Sequence, residues 1–255
     1  MTDPQPPRPV VCVGLKAYFG HAETLAWFDR AADQIDAGRA AGISVGVMPV
    51  ATSLASLAPR AADCGIALGA QDCSAESRGP FTGELPAELL AEVGASFVEV
   101  GHAERRRLGD TDAIVTAKTA AAVAAGLTPF ICAGEQRPTD PESAANEVIG
   151  QVRRVLGAVE RGCRAILAYE PHWAIGADRP APTDHIAAVL HLVREAATGI
   201  GELTLLYGGT AGPGMYRDLA DVADGLALGR RAHDVEVFGA VLDEMRPEGV
   251  PTDGA

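Results

Sequence analysis

The stretch AILAYEPHWAIGADRPAP, Ala165 to Pro182, sets fold and chemistry side by side. Its first five residues are all apolar or aromatic, as in a strand buried on both faces. The run closes on Glu170, and a loop rich in proline and glycine follows. A strand buried on both faces belongs to a parallel sheet covered by helices, so similar runs should recur. Seven others do: Val10–Leu15, Ile43–Met48, Cys64–Ala70, Ser96–Gly101, Thr128–Gly134, Glu202–Gly209 and Asp224–Arg230.

Alanine-rich amphipathic segments lie between these runs. They are Glu23–Ala40, Thr111–Ala125, Pro141–Arg161 and Thr183–Ala197, with a shorter one at Pro86–Val93 that opens on proline, as a first helical turn allows. Eight strands alternating with helices in 255 residues fit a closed (β/α)8 barrel of the TIM type. A doubly wound open sheet is the rival, but no GxGxxG follows the first strand. The expected layout is an extended tail over 1–9, one barrel domain over 10–245 and a second tail over 246–255.

Composition narrows the function classes. The formal net charge of -13 argues against nucleic acid and against an anionic membrane surface. A small anionic substrate stays possible where local groups reverse the field. The five cysteines are widely spaced with no CxxC, which suggests reduced thiols. No secretory signal and no apolar run of membrane-spanning length is visible, and a cytoplasmic protein is expected.

A barrel predicts chemistry at the C-terminal strand ends. Lys16 ends the first strand, His102 and Glu104 follow the fourth, and Glu170 ends the sixth. The seventh and eighth strands end in YGGT and ALGR, turns able to offer backbone N–H groups to an anion. Singly, each has a plain reading: a solvated lysine, a structural histidine, a helix-terminal acid, an ordinary turn. Their joint placement at one end of a barrel carries the weight. After Glu170, Trp173, Ala174 and Ile175 form an apolar tip between Pro171 and Pro180, and Gly176 follows. Closing over Glu170, such a loop would exclude water and raise the carboxylate's proton affinity, as a general base needs. A static loop with Trp173 packed beneath it is the alternative.

At these residues the chain resembles the triosephosphate isomerase family. AYEPHWAIG, GHAERR, GAQD followed by FTGE (Phe81–Glu84), CAGE (Cys132–Glu135) and YGGT (Tyr207–Thr210) stand in that family's order and spacing, over roughly Val10 to Phe238. The resemblance implies an aldose–ketose isomerase working on a small sugar phosphate through an enediolate. Glu170 would be the base, His102 a neutral imidazole polarising the carbonyl, and Lys16 the cation offsetting developing charge. Glu104 would order Lys16. Gly176, Thr210, Gly229 and Arg230 would hold the phosphate, under a lid carrying Ile175. No metal or other cofactor is implied. The Gln71–Glu84 segment would interlock two chains in a homodimer, with Thr82 near the partner's site.

Departures from the family bear on the substrate. Gly14-Leu15-Lys16 replaces Asn-Trp-Lys, Ala103 replaces serine, and Gly229-Arg230 replaces Gly-Gly; the lid carries Ala177-Asp178. Interconversion of glyceraldehyde 3-phosphate and dihydroxyacetone phosphate is the first expectation. The same chemistry on an erythrulose phosphate is the alternative, motivated by Gly14, Ala103 and Arg230. A non-catalytic sugar-phosphate-binding barrel is the third.

Overall fold

Eight short strands each pair in parallel with the next, and the last returns to the first. They are β1 (Val10–Gly14), β2 (Ser44–Met48), β3 (Ala67–Ala70), β4 (Phe97–Val100), β5 (Thr128–Ala133), β6 (Arg164–Tyr169), β7 (Glu202–Tyr207) and β8 (Gly225–Leu228). The computed structural model describes residues 9–159, 163–176, 180–198 and 200–247. Closure removes the rival open sheet, since β1 pairs with both β2 and β8. Most of each terminal tail lies outside the described residues.

Side-chain alternation explains the two apolar layers. On β1, Val11 and Val13 point outward and belong, with Leu15, to the large core beneath the helices, whereas Cys12 points into the barrel. The barrel interior is filled by Cys12, Met48, Phe97, Phe130 and Leu206 with three smaller residues. Two phenylalanines from adjacent strands fill much of this space, their ring centroids 6.1 Å apart.

The helical coat includes α1 (His21–Ala40), α2 (Leu54–Asp63), α3 (Ala87–Glu92), α4 (Ala103–Arg107), α5 (Asp112–Ala124), α6 (Pro141–Leu156), α7 (Thr183–Ala197), α8 (Met215–Leu219) and α9 (Val235–Glu244). Side-chain caps start several of them: Thr111 accepts from Ile114 N, Asp140 from Ser143 N, and Asp234 from Glu236 N.

The sequence reading missed α2, α4, α8 and α9. Pro59 lies inside α2, where proline ordinarily reads as a break, and α4 and α8 have only five residues each. β3 begins at Ala67, three residues later than expected, because Cys64 and Gly65 (φ 61°) turn the chain out of α2. The α6 helix ends at Leu156; residues 160 and 161, the last of the expected span, lie outside the described set.

Candidate active site

β1, β4, β6, β7 and β8 all end on one cavity of about 480 Å³. That is a typical size for a small-molecule site. Lys16, His102, Glu104 and Glu170 line it together. So do Ile175, Gly176, Thr210, Gly229 and Arg230. Thr82 does not; it stands exposed on the loop that leaves β3.

Lys16 sits just past β1 with φ 52°, unlike every other described non-glycine residue. Such a backbone costs about 1–3 kcal/mol and persists only where neighbours over-determine it. Gln71 provides that constraint: its Nε2 donates to the Lys16 carbonyl at 3.0 Å and to the Met48 carbonyl at 2.9 Å. The Lys16 ammonium then reaches Glu104 Oε1 at 2.6 Å.

His102 is the residue before α4, and its Nδ1 accepts the Glu104 backbone N–H at 3.1 Å. This leaves the ring proton on Nε2, which faces Glu170 Oε2 at 3.9 Å. Burial, followed by the Lys16 cation, pushes the imidazole down to about 4. The ring is therefore neutral at physiological pH.

Glu170 is the first residue beyond β6 and is 4% exposed. Its N–H donates to the Ala133 carbonyl at 2.9 Å, while its Oε2 has no hydrogen-bond partner among the described residues. Burial and the nearby carboxylate of Glu99 raise its proton affinity well above the ordinary glutamate value, against the pull of Lys16. Gly208 makes room for it. A Cβ there would stand 2.9 Å from both Cγ and Oε1 of Glu170, so glycine directly after β7 gives the carboxyl its room.

The loop after Glu170 is tethered at its start. Trp173 Nε1 donates to Glu135 Oε1 at 2.6 Å, Tyr169 Oη donates to the same oxygen at 3.3 Å, and the His172 N–H meets the Glu135 carbonyl at 3.0 Å. Glu135 is fully buried beneath this cluster. In this conformation Trp173 is thus anchored through Glu135 and packed against the core, and Ala174 is buried as well. Ile175 and Gly176 (φ 77°) are the residues facing the cavity, and Thr210 Oγ1 donates to the Ala174 carbonyl at 3.2 Å. The Ala177-Asp178 departure lies outside the described residues.

Charge is arranged against the chain's net sign. Lys16, Arg107, Arg230 and Arg231 all line the cavity, whereas the acidic groups Glu99, Glu104 and Glu170 stand on the β4 and β6 side. Such a mouth can hold an anion despite a net charge of -13. Next to it, the reacting side pairs a proton-hungry carboxylate with a neutral N–H donor. That combination can move a proton between a polarised carbonyl carbon and the carbon beside it.

Residues 9–245 match the family model for triosephosphate isomerase. The chain belongs to the triosephosphate isomerase family. It is an isomerase, which displaces the reading of a non-catalytic barrel. An L-erythrulose-1-phosphate isomerase of Pectobacterium atrosepticum is 39% identical over 242 residues, 91% of this chain and 93% of that one. A triosephosphate isomerase of Ruegeria sp. is 38% identical over 212 residues, 79% of this chain and 85% of that one. Among solved structures, the triosephosphate isomerase of Bartonella henselae superposes with a TM-score of 0.77 at 29% identity, over 94% of this chain and all of the other.

The sequence reading overlooked three cavity or support residues. Gln71 and Glu135 stood inside quoted motifs without a role. Glu99 stood inside an apolar run, SFVEVG, and its signal was a carboxylate at the centre of a strand buried on both faces.

Proposed function

We propose that this isomerase moves the carbonyl of a phosphorylated four-carbon ketose between its two central carbons, through an enediolate. Gly14 is the observation that carries the chain length. It lines the cavity beside Lys16, and a Cβ placed on it would meet only Met48 Cε at 3.7 Å and the Leu228 carbonyl at 3.9 Å. A methyl group would fit there in ordinary contact, so the glycine leaves that volume open on the cavity floor. The near end-to-end similarity to the Pectobacterium enzyme supports the same reading.

The chemistry follows from the substrate. In erythrulose 1-phosphate the C1 oxygen is esterified, so a carbonyl on C2 can shift only to C3. Glu170 takes the proton from C3, and the C–H electrons become the second bond of a C2–C3 enediolate. His102 Nε2–H donates to the oxygen on C2, and Lys16 offsets its negative charge. The hydroxyl proton passes between the two oxygens, and Glu170 returns its proton to C2. The carbonyl now stands on C3 and the composition is unchanged. Glu104 fixes the Lys16 ammonium. Backbone N–H groups of Gly176, Thr210, Gly229 and Arg230 hold the phosphate, and Ile175 covers it when the loop closes.

The triose reading differs by one group, with hydrogen in place of hydroxymethyl on the reacting carbon. The Ruegeria and Bartonella relatives favour it. Turnover of dihydroxyacetone phosphate and L-erythrulose 1-phosphate, measured side by side, separates the two. A triose preference of about a hundredfold or more, beyond what one small group is worth in a pocket, would remove the four-carbon reading.

The same proposal includes a homodimer. The loop between β3 and α3 exposes Phe81 and Leu85 around Thr82, an apolar tip suited to insertion into a second copy. Thr82 would there approach the partner subunit's Lys16. Sedimentation equilibrium at micromolar concentration should give twice the chain mass, and a monomer would contradict the dimer. No helix among the described residues is long and apolar enough to cross a membrane. We place the enzyme in the cytoplasm, without nucleic-acid partners.

A further inference from the structure

Glu99 occupies a position where an apolar side chain would pack well. It follows Phe97 by two residues on β4, so it faces the barrel interior, one layer above the Phe97 and Phe130 rings. It also lines the catalytic cavity. Its side-chain hydrogen bond is weak: the Cys132 thiol donates to Oε1 at 3.7 Å. Burial drives its proton affinity up to about 7, against the pull of Lys16. A carboxyl kept in such a place, at a cost in stability, points to a ligand group.

The geometry says which group. Glu170 must lie against the carbon that loses its proton. The Cys132 thiol stands between Glu170 and Glu99, in the field of both. A substituent on a carbon lying against Glu170 is thus within the neighbourhood of Glu99. Gly14 opens the same cavity floor. In a triose that carbon carries hydrogen, and Glu99 would have nothing to bind. In a four-carbon ketose it carries a hydroxymethyl group, whose oxygen can donate to the Glu99 carboxylate.

We propose that Glu99 is the specificity residue of this site: it receives the terminal hydroxyl of a four-carbon ketose phosphate and sets the preference over three carbons. The inference rests on the four-carbon reading above.

The test is the ratio of kcat/KM for L-erythrulose 1-phosphate to that for dihydroxyacetone phosphate, in wild type, Glu99→Val and Glu99→Gln, each at its pH plateau. Loss of the hydrogen bond to the Glu99 carboxylate should lower the ratio about 10–100-fold in Glu99→Val. Glu99→Gln keeps the shape and one acceptor oxygen, so its ratio should fall less, by about 3–10-fold; this variant decides the matter if the valine protein does not fold. Glu99 also raises the Glu170 proton affinity, but that effect acts on both substrates alike and leaves the ratio unmoved. Equal losses on the two substrates, or an unchanged ratio, would overturn the proposal. Wild-type enzyme that turns over the triose and ignores the tetrulose would overturn the substrate reading and Glu99's role with it. That failure shows in the wild type alone, before any variant is made.

Discussion

The two ends of the cavity are built by opposite means. At the end we propose as the reacting one, Glu170 and His102 are nearly fully buried and their proton affinities are shifted. At the anion end, Gly208–Thr210 and Gly229–Arg231 present backbone and long cations, and Arg230 and Arg231 are exposed. Charge that must appear and vanish during turnover needs a dry, fixed setting, where a small displacement is costly. A phosphate whose charge never changes can be held by many weak donors in partial contact with water. Substitutions at the first end should therefore act on kcat, and those at the second on KM.

The largest effect is expected at Glu170. Glu170→Gln should lower kcat about a thousandfold or more, as for loss of a general base, in steady-state assays with either substrate. Its melting temperature should rise. The folded-state proton affinity of Glu170 is raised, so its contribution to stability is present below about pH 4.5 and is lost as pH rises. The ionised group destabilises the neutral-pH protein, and the amide removes that burden. Each kcal/mol recovered is worth roughly 2–4 °C in a chain of this size, measurable by calorimetry. An enzyme weakened by its own catalytic group is a common trade between stability and activity.

Next comes His102. On the proposed mechanism Glu170 acts as the carboxylate and His102 as a neutral donor, so His102→Gln should cost about a hundredfold in kcat with little change in KM. A loss confined to KM would move His102 out of the reacting end. The pH profile sharpens the same contrast. The acid limb of kcat/KM should lie above the ordinary glutamate range, because activity disappears as falling pH protonates a Glu170 whose proton affinity is raised. Glu99→Gln should shift that limb to lower pH, since Glu99 is one of the groups raising Glu170. His102 ionises only near 4, so it should leave no separate limb near neutrality.

The smallest effect is expected at the anion end. Arg230→Ala should raise KM less than about tenfold and leave kcat within about twofold, with the difference shrinking at high salt. A kcat loss as large as that at His102 would erase the distinction between the two ends.

The sequence made the scaffold legible and the cavity only in part. Eight apolar runs and the helices between them are local patterns, and strands buried on both faces announce a covered parallel sheet. Lys16, His102 and Glu170 were found because strand ends converge in a barrel and because their motifs stand in order. Glu99 escaped because alternation along one strand tells which residues share a face, while only the closed barrel tells which face opens on the cavity. The anchoring of Trp173 was not legible because its partner, Glu135, lies 38 residues away in the chain and meets it only through folding. Lys16's left-handed backbone is likewise a product of distant constraint, through Gln71. What was missed is long-range, and no window of sequence contains it.

The central claim is that Glu170 carries a proton between adjacent carbons of a phosphorylated ketose. Turnover in D2O, followed by proton NMR of product and recovered substrate after many turnovers, tests it most directly. The account predicts deuterium on the carbons flanking the carbonyl in the wild type and none at comparable times in Glu170→Gln. Full conversion that leaves those carbons free of deuterium, or Glu170→Gln labelling as fast as wild type, would contradict it.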